Sequence, residues 1–131
     1  MKHELKGFTF EMHAAPGNMA AELCHTLDGR RKILCNCNGI ITEADITECE
    51  DELVEKLYSC HIDGLRRYYD GYICIMSWPP YKHFTFKFEC FFDNNYVISA
   101  GIDEMPGELF ELIPYLRKVG MSFPIKKWKT K

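Results

Sequence analysis

Much is missing from this 131-residue sequence, and each absence narrows what the chain can be. No apolar run approaches the ~20 residues that a bilayer-crossing helix needs, so a membrane partner is not expected. Met1-Lys2-His3-Glu4 leads into a mixed strand pattern and not a signal peptide, and the expected location is the cytoplasm. There is no basic stripe either. Lys and Arg are scattered and the net charge is -3. The one cationic run, Lys126-Lys127-Trp128-Lys129-Thr130-Lys131, reads as a solvated end, which argues against a nucleic-acid partner. The sequence has no Cys-x-x-Cys pair and no internal repeat.

What is present suffices for one core. At 47% hydrophobic and 27% charged residues, a chain of this length fits a single domain over residues 1–131. Its seven cysteines are Cys24, Cys35, Cys37, Cys49, Cys60, Cys74 and Cys90. Without a signal peptide they are expected to stay reduced, since disulfides belong to oxidising compartments. The best zinc set joins Cys35 and Cys37 with Cys60-His61 or Cys24-His25. Cys-x-Cys is a weaker ligand pair than Cys-x-x-Cys, and free cysteine usually behaves as a small hydrophobe, so no metal is expected.

Periodicity sketches the elements. In Leu5 to His13, Phe8, Phe10 and Met12 alternate with Thr9, Glu11 and His13, which predicts a half-buried strand. Pro16-Gly17-Asn18 is read as opening a short helix with Met19, Leu23 and Leu27 on one stripe, ending at Asp28-Gly29. Lys32 to Asn38 follows as a strand closed by Asn38-Gly39. Thr47 and Glu50 have capping-box spacing for a helix that buries Cys49, Leu53, Leu57 and Cys60 and extends toward Tyr69. Three strand-like runs come next, Tyr72 to Trp78, His83 to Phe92 and Tyr96 to Ile102, the last two joined across Asp93-Asn94-Asn95. A final helix, Gly107 to Val119, presents Leu109, Leu112, Ile113, Leu116 and Val119 inward, kinks near Pro114 and stops at Gly120. The sum is an α+β sandwich: one mostly antiparallel sheet with helices packed on one face.

Chemistry concentrates in Trp78-Pro79-Pro80-Tyr81, which feeds the strand carrying Phe84, Phe86, Phe88 and Glu89. The phenylalanines are assigned to the core, and strand parity puts Glu89 on the opposite face. An amphipathic Trp78 beside two prolines suits a rim position, where it can stack on a flat cation. Trp78-Pro79-x-Tyr81 before an apolar strand resembles the Trp-Pro-Glu-Tyr segment of bacterial S-adenosylmethionine decarboxylases. Tyr58-Ser59-Cys60-His61-Ile62-Asp63-Gly64-Leu65 can be laid over that family's Phe-Ser-Pro-His-Gly-Val-Ser-Gly stretch. The family's self-cleaving serine falls on Asp63 or Gly64, neither of which has a hydroxyl, so the resemblance implies no pyruvoyl group and no cofactor.

A pyruvoyl-free relative of that family is similar to phage-type S-adenosylmethionine lyases and to the type III CRISPR lyases of antiviral defence that degrade SAM-AMP. In such enzymes the substrate's own carboxylate closes a lactone, and the protein supplies shape. The resemblance implies adenine stacking on Trp78, Tyr81 or Phe10, carboxylate contacts from Glu89 or Glu11, and phosphate contacts from Arg30, Arg31, Lys82 or His83. It implies a dimer or trimer with a nucleoside substrate. Two other classes stay open: an inactive decarboxylase-like regulatory binder, and a small inhibitor or immunity protein that binds another protein.

Overall fold

The computed structural model describes residues 5–14, 17–70, 85–102 and 105–123. They form a mixed, mostly antiparallel sheet of seven strands in the order β4-β3-β2-β1-β6-β7-β5, with two helices packed on one face. The strands are β1 (Gly7–Ala14), β2 (Gly17–His25), β3 (Arg31–Cys37), β4 (Ile40–Asp45), β5 (Tyr68–Asp70), β6 (Thr85–Phe91) and β7 (Tyr96–Ile102). The helices are α1 (Glu50–Ser59) and α2 (Gly107–Val119). The α+β class and the helices on one face are as the periodicity predicts.

β1 lies at the centre because its apolar side is the bulkiest. Phe8, Phe10 and Met12 are buried, and β6 brings Phe86, Phe88 and Cys90 alongside them. Phe10 and Phe88 meet edge to face at 5.2 Å, and Phe123 meets Phe10 the same way at 5.8 Å. Leu53 and Leu57 of α1 and Leu109, Leu112, Ile113 and Leu116 of α2 close this core. Cys90 is fully buried, and desolvation holds its thiol well above the usual range. A thiol-specific reagent is therefore expected to leave Cys90 unmodified in the native protein and to modify it only in denaturant. Rapid native labelling of Cys90, read by peptide mass spectrometry, would contradict the packing described.

The segment 17–29 is not a helix. Residues 17–25 form β2, paired on both sides, with Met19 opposite Met12 of β1 and Cys37 of β3. The inward set is Met19, Ala21 and partly Leu23, a period of two, whereas Leu27 is fully exposed in the turn. The stripe of three large residues hid the smaller Ala21, and pairing between two strands overrides the strong helix preference of alanine, since propensity yields to tertiary context. Asn38 (φ 54°) and Gly39 (φ 90°) make the left-handed two-residue turn that the Asn-Gly pair favours, and it returns the chain into β4, a strand absent from the periodicity reading.

The capping box does not form. Cys49 is the N-cap of α1 and makes no side-chain cap, while Thr47 accepts a hydrogen bond from the Arg31 amide at 2.9 Å. Glu50 instead accepts from the Leu5 amide at 2.7 Å and pairs with Arg31, Nε to Oε1 at 2.6 Å. Nor does α1 reach Tyr69. His61 turns left-handed (φ 63°), a single 3-10 turn covers Ile62–Gly64, and the chain re-extends into β5, which pairs parallel to β7. α2 spans Gly107–Val119 as predicted. It continues through Pro114 and ends where Gly120, at φ 131°, returns its amide to Leu116 and Arg117.

Candidate functional site

Two-residue alternation gives the sheet a second face, and among the described residues nothing covers it. The register sets its side chains in rows. One row crosses β4 to β7 as Glu43, Leu34, Glu22, Thr9, Glu89 and Ile98. The next runs Ile41, Asn36, Ala20, Glu11, Lys87 and Ala100. Thr9 is thus flanked by Glu22 and Glu89, with Glu11 two residues along the same strand. Diagonal neighbours on one face of an antiparallel pair lie about 7–8 Å apart, within reach of one small ligand.

Between these rows the surface dips. Ala20 is small, and its neighbours Thr9, Glu11, Glu22, Leu34, Asn36 and Ile41 stand around a depression of about 240 Å³. Leu34 and Ile41 form an apolar wall, while Glu11 and Glu22 form an acidic rim. Glu11 lies 3.8 Å from the His13 imidazole and Glu89 lies 3.5 Å from Lys87. A cation with an apolar body would meet the acidic rim of Glu11 and Glu22 while covering Leu34 and Ile41.

The sequence-predicted residues divide. Glu11 and Glu89 come together on the open face, as strand parity requires. Phe10 points the other way and is fully buried against Phe88 and Phe123, so its ring belongs to the core. Trp78, Tyr81, Lys82 and His83 lie outside the described residues, as does the predicted run from Tyr72 to Trp78. The two arginines suggested for phosphate are engaged elsewhere. Arg30 bonds Asp45 and Glu48, and Arg31 is held in its pair with Glu50. Glu22 was not a sequence candidate, because a helical reading of 17–29 hides which face it takes; strand parity with Met19 and Ala21 is the signal that locates it.

Burial pushes the thiols of Cys35, Cys37, Cys49 and Cys60 up, and Cys35 donates to the Ser122 carbonyl at 3.3 Å. His61, beside Cys60, is exposed on its left-handed turn. Among the described residues no group of three or more His, Cys, Asp or Glu is placed to hold a metal ion, and no helix is long and apolar enough to cross a membrane. No family model, no curated protein and no solved structure matches the chain.

Proposed function

We propose that the open face of the sheet binds a cationic nucleoside metabolite of the S-adenosylmethionine class, free or as its AMP conjugate, and that the protein is a lyase for it. The observation that carries this reading is the convergence of Glu11, Glu22 and Glu89 around Thr9 beside the apolar wall of Leu34 and Ile41. A depression of about 240 Å³ holds one arm of such a ligand, and the remainder lies along the neighbouring rows. The carboxylates suit the ammonium and ribose groups, which keep their charge and polarity through the reaction. An anion pressed against the sulfonium would stabilise the ground state over a transition state in which that charge disappears.

The reaction needs no reacting atom from the protein. An oxygen of the substrate's α-carboxylate attacks the γ-carbon, the carbon–sulfur bond breaks, and its electron pair stays on sulfur. The products are homoserine lactone and neutral methylthioadenosine, or its AMP adduct. Holding the chain curled for in-line attack contributes several kcal/mol through effective molarity.

Incubation of the purified protein with each substrate, followed by chromatography, tests the reading. Both products should appear, and Glu11→Gln with Glu89→Gln should lower turnover about tenfold or more while leaving the melting temperature unchanged. Intact substrate after prolonged incubation would end the lyase reading. A second reading, a contact surface for another protein or another copy, is favoured by Ile40 and Ile41, which are 68% and 66% exposed at the β4 edge. Saturable binding without products, or a stable dimer or trimer whose assembly Ile41→Lys abolishes, would move the assignment to that class.

A further inference from the structure

The sheet has a second recess, at its other end. β5 pairs with β7 only from Ala100 onward, and the chain leading into β5 diverges from β7 before that point. The wedge between them measures about 570 Å³ and is lined by Asp63, Leu65, Arg67, Asn94, Asn95 and the start of β7, Tyr96 to Ile98. Strand parity shows which main-chain groups face it. The Ala100 amide donates away from β6 to the Arg67 carbonyl at 3.0 Å, and the Phe92 amide bonds Asn95 on the β6 side at 2.8 Å. Tyr96 and Ile98 are in phase with Ala100, so their N–H and C=O groups open into the wedge, where no strand of the described residues takes them up.

We propose that this wedge is a binding site for a purine mononucleotide, free or as the end of a larger conjugate. A main-chain N–H and C=O on one residue match the edge of adenine, which offers a ring-nitrogen acceptor beside an amino donor. Leu65, half-buried, supplies apolar surface for a flat ring. Arg67 stands at the wedge as its cation, its guanidinium 6.0 Å from the Tyr96 ring centre and its Nη2 donating to the Tyr96 hydroxyl at 3.3 Å. Asn95 accepts from the Tyr58 hydroxyl at 3.3 Å through Oδ1, which leaves its amide nitrogen as a donor, and Asp63 is an acceptor for ribose hydroxyls. The space excludes the other natural occupant of a strand edge. An extended peptide needs a run of pairing positions, and here β5 takes over the edge at Ala100, after only Tyr96 and Ile98. The volume falls in the range of small-ligand pockets.

This inference does not rest on the lyase reading: it uses main-chain groups on the edge of β7 turned away from β6, whereas Glu11, Glu22 and Glu89 are side chains on the open face of β1, β2 and β6. Calorimetric titration of the full chain with AMP, adenosine and ribose 5-phosphate tests it. AMP should bind more tightly than either fragment. Arg67→Gln should weaken AMP about tenfold or more and leave adenosine within about twofold, because only the phosphate loses a charged partner. Ile98→Pro removes one amide that the sheet does not use, and it should weaken AMP and adenosine alike. If Ile98→Pro fails to fold, the Arg67→Gln comparison decides alone. AMP that fails to bind at millimolar concentration, ribose 5-phosphate that binds as tightly as AMP, or AMP affinity unchanged in Arg67→Gln would each overturn the proposal.

Discussion

Replacing Arg31 with methionine is expected to destabilise the protein by about 3–5 kcal/mol, the range for removing one partner of a buried ion pair. Arg31 and Glu50 are only 14% and 12% exposed. Their two close contacts, Nε to Oε1 at 2.6 Å and Nη2 to Oε2 at 2.9 Å, tie the start of β3 to the first turn of α1. The Leu5 main chain is joined to the same pair, its amide to Glu50 and its carbonyl to Arg31. With methionine at 31, Glu50 keeps its charge in a site that water barely reaches and the Leu5 carbonyl loses a donor. Urea denaturation of Arg31→Met should show a lower midpoint with an unchanged slope. The double variant Arg31→Met with Glu50→Met should recover most of the loss, because no charge is then left buried. A loss below about 1 kcal/mol in the single variant would mean that the pair is solvated in solution.

A loss of similar size, about 3–5 kcal/mol, is expected for Phe88→Ala, from lost transfer energy and from the cavity left behind. Phe88 is fully buried where β1, β6 and the helices meet, and its ring is an edge-to-face partner of both Phe8, at 5.8 Å, and Phe10, at 5.2 Å. Neither neighbour can collapse into the space without leaving its own strand register. Phe91, three residues on in the same strand, is the control. Its ring lies on the open face, 37% exposed, so Phe91→Ala should cost under about 1 kcal/mol. Equal losses at the two positions in thermal melts would show that the two faces are not distinguished as described.

The fold was readable from the sequence wherever one face of an element is consistently apolar. Phe8, Phe10 and Met12 announce β1, and the hairpin of β6 and β7 follows from alternation on both sides of Asp93-Asn94-Asn95. α2 follows from Leu109, Leu112, Ile113 and Leu116. Where the inward residues are small, the pattern fails. Ala21 in β2 makes too little contrast with its neighbours, so Met19, Leu23 and Leu27 suggest a helix that pairing with β1 and β3 overrides. β4 is an edge strand whose adjacent Ile40 and Ile41 do not alternate, and its position depends on the Asn38-Gly39 turn.

The same physics decides how much of the candidate site could be seen. Glu11 and Glu89 lie in strands with clear parity, so their shared face was readable. Glu22 was hidden with β2, and the depression over Ala20 needs three strands in register before it exists. The wedge beside β7 was beyond reach, since it consists of main-chain groups left open by a strand that pairs over only three residues, Tyr68–Asp70. The roles of Arg30 and Arg31 were equally out of view, because their carboxylate partners come from β4, the loop after it and α1.

Amide chemical-shift mapping of the labelled protein during titration with S-adenosylmethionine tests the central claim most directly, that the uncovered sheet face is where the cationic metabolite sits. Saturable shifts should centre on Thr9, Glu11, Ala20, Glu22 and Glu89, with α1 and α2 unchanged. Absence of shifts at saturating metabolite, or shifts that avoid β1, β2 and β6, would contradict it.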